Sequence, residues 1–168
     1  MKDRYLNGVP ETLPGVIGIV GSRGPDEERG RPVGWTNHAL VPRLVRRILQ
    51  SNPQVTIISG AAPSGVDHMV AMTCRLLHFC DGEHIKIDPT SVDCGCPHFY
   101  EFEAQWRKDG KFNKLAGFER NDKLVRHVGL LIAMFAPGEM TPGTSDAVRR
   151  ARAYDIPVLV YHEGAWRG

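Results

Sequence analysis

The chain is short of cysteine, of net charge and of long apolar runs, and each shortage closes off a class of protein. Met1-Lys2-Asp3-Arg4-Tyr5 holds no apolar signal core, and no uninterrupted run approaches the ~18 residues a membrane span needs. A soluble, cytoplasmic protein is therefore expected, and its four cysteines, Cys74, Cys80, Cys94 and Cys96, are expected to be reduced thiols. The formal charge of +2 is too small to announce a nucleic-acid binder. No Walker lysine, HExxH pair or ordered Ser-His-Asp set is present, and neither an internal repeat nor a linker interrupts the chain.

What is there reads as one domain. A length of 168 residues suffices to bury a continuous core, and 42% hydrophobic with 24% charged content argues against disorder. Apolar runs at 15–20, 55–59, 83–87, 130–135 and 156–161 predict strands. Between them, periodic apolar stripes predict helices at about 36–50, 66–79, 117–128 and 144–154. In the first of these Leu40, Val41, Leu44, Val45, Ile48 and Leu49 form one face, with Arg43, Arg46 and Arg47 on a solvated face opposite. The strand runs are continuous rather than alternating, which predicts a parallel sheet covered on both sides in a doubly wound α/β domain. Residues 1–14 read as a polar lead-in, 24–34 as a loop, 88–114 as a long loop or lid, and 162–168 as a tail.

Three strand ends break into small residues and then enter a helix. They are Gly21-Ser22-Arg23-Gly24, Ser59-Gly60-Ala61-Ala62-Pro63-Ser64-Gly65-Val66-Asp67, and Pro142-Gly143-Thr144-Ser145-Asp146. Backbone N–H groups at a helix N-terminus, with the positive end of its dipole, favour a phosphate or another anion. Ligands of parallel sheets bind beyond the carboxyl ends of the strands, where all three turns lie. Ser22 and Thr144 offer hydroxyls, and Gly60 and Gly65 permit close backbone approach. Arg23 offers either a bidentate contact to a phosphate or a surface salt bridge. Asp67 is either an acceptor for a ribose hydroxyl or a first-turn residue placed by the helix dipole.

The ordered set resembles the SLOG superfamily, the Rossmann-like group that contains DprA and the LOG phosphoribohydrolases. The residues concerned are Val20-Gly21-Ser22-Arg23, Ser59-Gly60-Ala61 with Gly65-Val66-Asp67, Ala116-Gly117-Phe118-Glu119-Arg120-Asn121, Leu131-Ile132-Ala133-Met134-Phe135, and Gly143-Thr144 with Ala151 through Ile156-Pro157-Val158. Trp106, Gly110 and Lys111 ahead of the third element make it most similar to the small stand-alone YspA-type proteins. The resemblance spans residues 15–161 and implies a Rossmann-like fold, a nucleotide-type ligand and a homodimer or higher homo-oligomer. It places Arg120 and Asn121 at the pocket, although local helix capping also accounts for Asn121.

One departure bears on activity. LOG enzymes resemble a Pro-Gly-Gly-x-Gly-Thr-x-x-Glu pattern whose Glu assists cleavage of an N-glycosidic bond, and Ala147 stands where that Glu would be. Asp146 is one residue early, a rotation of about 100° on a helix. The leading expectation is thus a sensor or effector that binds a phosphorylated nucleoside compound through Gly21, Ser22, Arg23, Ser59, Gly60, Ala61, Gly65, Asp67, Arg120, Asn121, Gly143 and Thr144. The alternative is a hydrolase of a nucleoside monophosphate or NAD-like glycosidic bond, with Asp146 or Asp67 as the carboxylate. A third reading, single-stranded DNA binding of the DprA kind, needs a basic groove with exposed aromatics, and the small net charge weighs against it. Cys94-x-Cys96-x-His98, even with Cys80 or His84 added, departs from the usual zinc spacings, so no metal is assigned and no obligatory cofactor is expected.

Overall fold

The computed structural model describes residues 6–78, 99–138 and 140–168. The strand expected at 83–87, and Cys80, His84, Cys94, Cys96 and His98 with it, lie outside the described residues. In chain order the elements are β1 (Val16–Gly21), α1 (Leu40–Ser51), β2 (Thr56–Gly60), α2 (Val66–His78), β3 (Phe99–Phe102), β4 (Arg107–Lys108), β5 (Lys111–Phe112), α3 (Ala116–Val125), β6 (Leu130–Met134), α4 (Pro142–Ala153), β7 (Val158–His162) and β8 (Ala165–Arg167).

Six strands form one sheet in the order β3-β2-β1-β6-β7-β8. The first five are parallel, with Ile17 opposite Ile57 and Leu130, and Ile132 opposite Leu159. The chain winds outward from β1 to β3, returns to place β6 beside β1, and winds outward again. This is a doubly wound sheet with its switch point between β1 and β6.

The continuous apolar runs follow from burial of both faces. Ile17, Ile19, Ile57, Ile132 and Met134 pack under Leu44, Val45 and Ile48 of α1 and Val66, Val70 and Cys74 of α2. Ile58, Leu131, Ala133 and Val160 pack under Leu124 and Val125 of α3 and Ala147, Val148 and Ala151 of α4. Each large side chain so buried contributes about 1.5–3 kcal/mol. Gly18 keeps α3 close to the sheet: a Cβ there would press on Leu124 and Leu131 at 3.1 Å.

Helix α1 begins at Leu40, the first residue of its stripe, rather than at about residue 36. Asn37 Oδ1 accepts the N–H groups of Ala39 at 3.2 Å and Leu40 at 3.1 Å, which fixes the start. Pro42 then falls in the first turn, where its missing N–H costs nothing. The lead-in is less polar in place than in sequence, since Leu6 and Val9 are buried against the α1 face. Arg47 fastens them, donating to the Leu6 carbonyl at 2.7 Å and the Val9 carbonyl at 3.3 Å. One arginine of the expected solvated face is therefore a tether.

Two expectations are corrected. The stretch read as a loop over 88–114 contains β3, all four residues of which are buried, pairing with β2 from Ile57–Phe99 to Gly60–Phe102. Its buried Glu101 is paired with Arg75 at 3.2 Å, so charge within the run hid the strand. The expected tail is β8, joined to β7 through Glu163 (φ 52) and Gly164 (φ 75). Two successive positive φ values make the tight turn whose twist suits an antiparallel hairpin. Trp166 of β8 packs on Tyr161, ring centroids 5.0 Å apart. Among the described residues, no helix is long and apolar enough to cross a membrane.

Candidate functional site

At the switch point the chain leaves β1 and β6 side by side, and their loops diverge to open a cleft. Ser22 ties the two loops together. Its N–H donates to the Met134 carbonyl at 3.0 Å, and its Oγ accepts the Ala136 N–H at 2.9 Å. The β2–α2 turn braces the first one from behind. Gly24 N–H donates to Ser64 Oγ at 3.2 Å, and Gly65 (φ +76) lies so close to Ser22 and Arg23 that a Cβ would overlap their backbones.

Between these loops and the start of α4 lies a cavity of about 690 Å³, within the ~300–1,000 Å³ typical of small-molecule sites. Of the residues expected at a site, Gly21, Arg23, Asp67, Arg120, Asn121, Gly143 and Thr144 line it. The others do different work. Ser22 and Ser59 are buried, and Ser59 Oγ donates to the Ile19 carbonyl at 2.7 Å, inside the sheet. Ala61 N–H donates to the Phe102 carbonyl at 3.3 Å, extending the β2–β3 pairing. Gly60 makes room, because a Cβ there would fall on the Arg120 guanidinium and Asp67 Oδ2.

Asp146 is not a cavity residue, which corrects its candidacy as a catalytic carboxylate. Its carboxylate is engaged instead with α3 and with its own helix. Its Oδ1 accepts Arg149 Nη2 at 2.6 Å, and its Oδ2 accepts Arg150 Nε at 2.8 Å and Asn121 Nδ2 at 3.2 Å. Burial works against the charge, but the bonds from Arg150, Asn121 and Arg149 prevail and hold the carboxyl below the usual carboxylate range. The buried Asn121 passes this order to the cavity. Its Nδ2 also donates to the Gly143 carbonyl at 2.9 Å, while its Oδ1 accepts Arg120 Nε at 3.0 Å. Asn121 and Asp146 thus aim Arg120.

The cavity gathers positive charge. Among the described residues, Arg23, Arg29, Arg31, Lys114 and Arg120 line it, against the single carboxylate of Asp67. Arg29 and Arg31 reach it because residues 24–34 close on themselves. Trp35 N–H donates to the Arg23 carbonyl at 2.8 Å, and Asp26 and Arg31 pair through their backbones. Asp26 also holds the side chain of Arg31 at 3.3 Å and that of Arg29 at 3.7 Å. Burial, then the charges of Arg31 and Arg120, push the Arg23 guanidinium down from its ordinary value. Crowded like charges of this kind are relieved by an anion.

Asp67 sits in the first turn of α2, 4% exposed, with the Gly21 N–H donating to its Oδ1 at 3.3 Å. Burial pushes its carboxyl up to about 6, against the opposing pull of Arg120, the Gly21 and Ala62 N–H groups and Arg23. A carboxyl that exchanges its proton near neutral pH, in a cavity, has the properties of an acid–base group. At the far wall the Thr141 side chain makes no capping hydrogen bond at the N-terminus of α4, where Pro142, Gly143 and Thr144 line the cavity. Uncapped N–H groups and the helix dipole add to the anion-attracting field.

Sequence reasoning missed Arg29, Arg31, Lys114, Trp106 and Phe118. The first two lay in a segment without periodicity just after a Gly-rich turn, and that adjacency was the one signal to be had. Lys114 and Trp106 lay in the stretch taken as a lid. Among the described residues, no group of His, Cys, Asp and Glu forms a metal site.

No protein-family model matches the chain, and no curated protein sequence matches it at a significant level. Among solved structures it is similar to DNA processing protein A from Helicobacter pylori, a single-stranded DNA binder, at 19% identity over 94% of this chain and 68% of that one, with a TM-score of 0.53. It is also similar to the Moco carrier protein from Chlamydomonas reinhardtii, at 16% identity over 88% of this chain and 76% of that one, with a TM-score of 0.47. At such identities the likeness is one of architecture, and the chain has a DprA-like, Rossmann-type α/β fold.

Proposed function

We propose that this chain binds a phosphorylated nucleoside compound in the cavity beyond β1 and β6, as a sensor or effector of the YspA-type SLOG branch. The observation that carries the reading is the convergence of five cationic side chains on the cavity that holds the buried carboxyl of Asp67. Arg23 and Arg120 offer charge-assisted, bidentate contacts to phosphate oxygens, and the uncapped start of α4 offers N–H groups. Mass spectrometry of small molecules retained by the purified protein, followed by calorimetric titration with AMP and NAD, tests it. Failure of every phosphorylated nucleoside to bind would remove the proposal.

Asp67 favours a second reading, hydrolysis of an N-glycosidic bond, because it is a cavity carboxyl whose proton is mobile near pH 6. Chromatographic detection of free base, abolished in Asp67→Asn, would establish that reading over simple binding. Single-stranded nucleic acid is a competing occupant: the neighbour from Helicobacter pylori binds single-stranded DNA, and here Arg107, Lys108, Lys111 and Lys114 lie exposed next to Trp106. An oligonucleotide that displaces AMP at lower concentration than its own mononucleotides would favour it. A homodimer belongs to the same proposal, and sedimentation giving a monomer at high concentration would remove it.

A further inference from the structure

We infer that Trp106 is the platform on which the aromatic base of the ligand stacks, so that the cavity selects nucleotides over base-free sugar phosphates. This rests on the nucleotide reading above and adds a residue for the base to the cations already assigned to the phosphate.

The three tryptophans of the chain differ sharply in their surroundings. Trp35 is 3% exposed within the α1 core and meets Tyr161 edge-on at 6.0 Å. Trp166 packs on Tyr161 as part of the sheet edge. Trp106 is 43% exposed and lines the cavity, together with Phe118 and Val33. Apart from the Phe112 ring on one side, this large apolar surface stands partly open to water beside five cations. Aromatic walls with a few convergent polar groups are the ordinary composition of a ligand site.

The local structure holds the indole in place. Asn113 N–H donates to the Trp106 carbonyl at 2.8 Å, and Asn113 Nδ2 donates to the Gln105 carbonyl at 3.2 Å. The intervening β4–β5 hairpin turns through Asp109 and Gly110 and brings Phe112 alongside, nearly parallel to the indole at 6.1 Å and an interplanar angle of 8°. In the first turn of α3, Gly117 faces the edge of the indole, where a Cβ would make ordinary van der Waals contact with Cη2 at 3.7 Å. A ring fixed in this way gives a flat, preformed surface, and preformed surfaces bind with less loss of entropy. Arg120 and Lys114 line the same cavity, so a phosphate held by cations and a base laid on Trp106 lie within one site.

The test compares AMP with ribose 5-phosphate, which differ by the base alone, on wild type, Trp106→Ala and Trp106→Phe. Binding is followed by calorimetry and by tryptophan fluorescence, with circular dichroism to verify folding. AMP should quench emission in wild type and bind roughly tenfold or more tighter than ribose 5-phosphate, as stacking of one base requires. Trp106→Ala should bring AMP to the level of ribose 5-phosphate and leave the latter unchanged, while Trp106→Phe should keep most of the difference. Equal affinities in wild type, or an equal loss of both ligands in Trp106→Ala, would overturn the inference and leave phosphate binding standing. If neither ligand binds wild type, the nucleotide reading itself falls.

Discussion

Two Gly-rich turns that look alike along the chain have different jobs in space. Gly21-Ser22-Arg23-Gly24 after β1 opens on the cavity through Gly21 and Arg23. The turn after β2 spends most of its small residues on packing: Gly60 makes way for Arg120 and Asp67, and Gly65 lets the second loop lie against the first. Only Ala62 and Asp67 of that turn reach the cavity. Glycine after a strand therefore marks close approach, and what approaches is as often protein backbone as phosphate.

This contrast breaks most visibly at Gly65. Gly65→Ala places a Cβ at φ +76 against the Ser22 and Arg23 backbones, and should destabilise the fold by about 2–4 kcal/mol in urea titration. Ordinary stability in this variant would show that the second turn is not the brace described.

Asp67→Asn should act in the opposite direction. The folded carboxyl titrates at about 6 rather than 3.8, so the folded state holds its proton over a range in which the unfolded chain has lost it. Stability therefore falls as pH rises from about 4 to about 6 and stays at the lower value above that. Without ligand, Asn should remove that slope and raise stability at pH 7 by up to about 3 kcal/mol, the size of a two-unit shift. Parallel pH–stability profiles for the two proteins would refute the assignment.

On the first turn the effect should fall on binding. Arg23→Ala should weaken AMP by about 1.5–3 kcal/mol, the scale of a lost charged hydrogen bond, with little loss of stability because it relieves repulsion from Arg31 and Arg120. The smallest change belongs to the third turn. A Cβ added at Gly143 would meet nothing within 4 Å, so Gly143→Ala should stay within about 0.5 kcal/mol of wild-type stability. Any larger loss in thermal unfolding would place Gly143 with Gly65 as a packing glycine.

Much of the architecture could be read along the chain. Four helices and four of the five parallel strands announced themselves by apolar stripes and runs, since burial on one face or two imprints a local period. The four-residue β3 carried no such imprint: Glu101 interrupts it, and an ion pair with Arg75 offsets that residue's burial. At the site, seven of the expected residues line the cavity, because carboxyl-end turns of neighbouring parallel strands must converge. Ser22, Ser59 and Asp146 do not, since their hydrogen bonds are claimed by Ala136, Ile19 and the α3–α4 arginine network.

The amino-acid sequence by itself determined the alternation of strand and helix, the burial of both sheet faces and the set of turns that could hold an anion. These depend on residues a few positions apart. Only the tertiary structure decided which turn opens to ligand and which braces it, that Arg29, Arg31 and Lys114 join Arg23 and Arg120, and that Trp106 stands exposed beside them. Those outcomes depend on strand order and loop packing between residues up to about a hundred positions apart, and no local pattern encodes that juxtaposition.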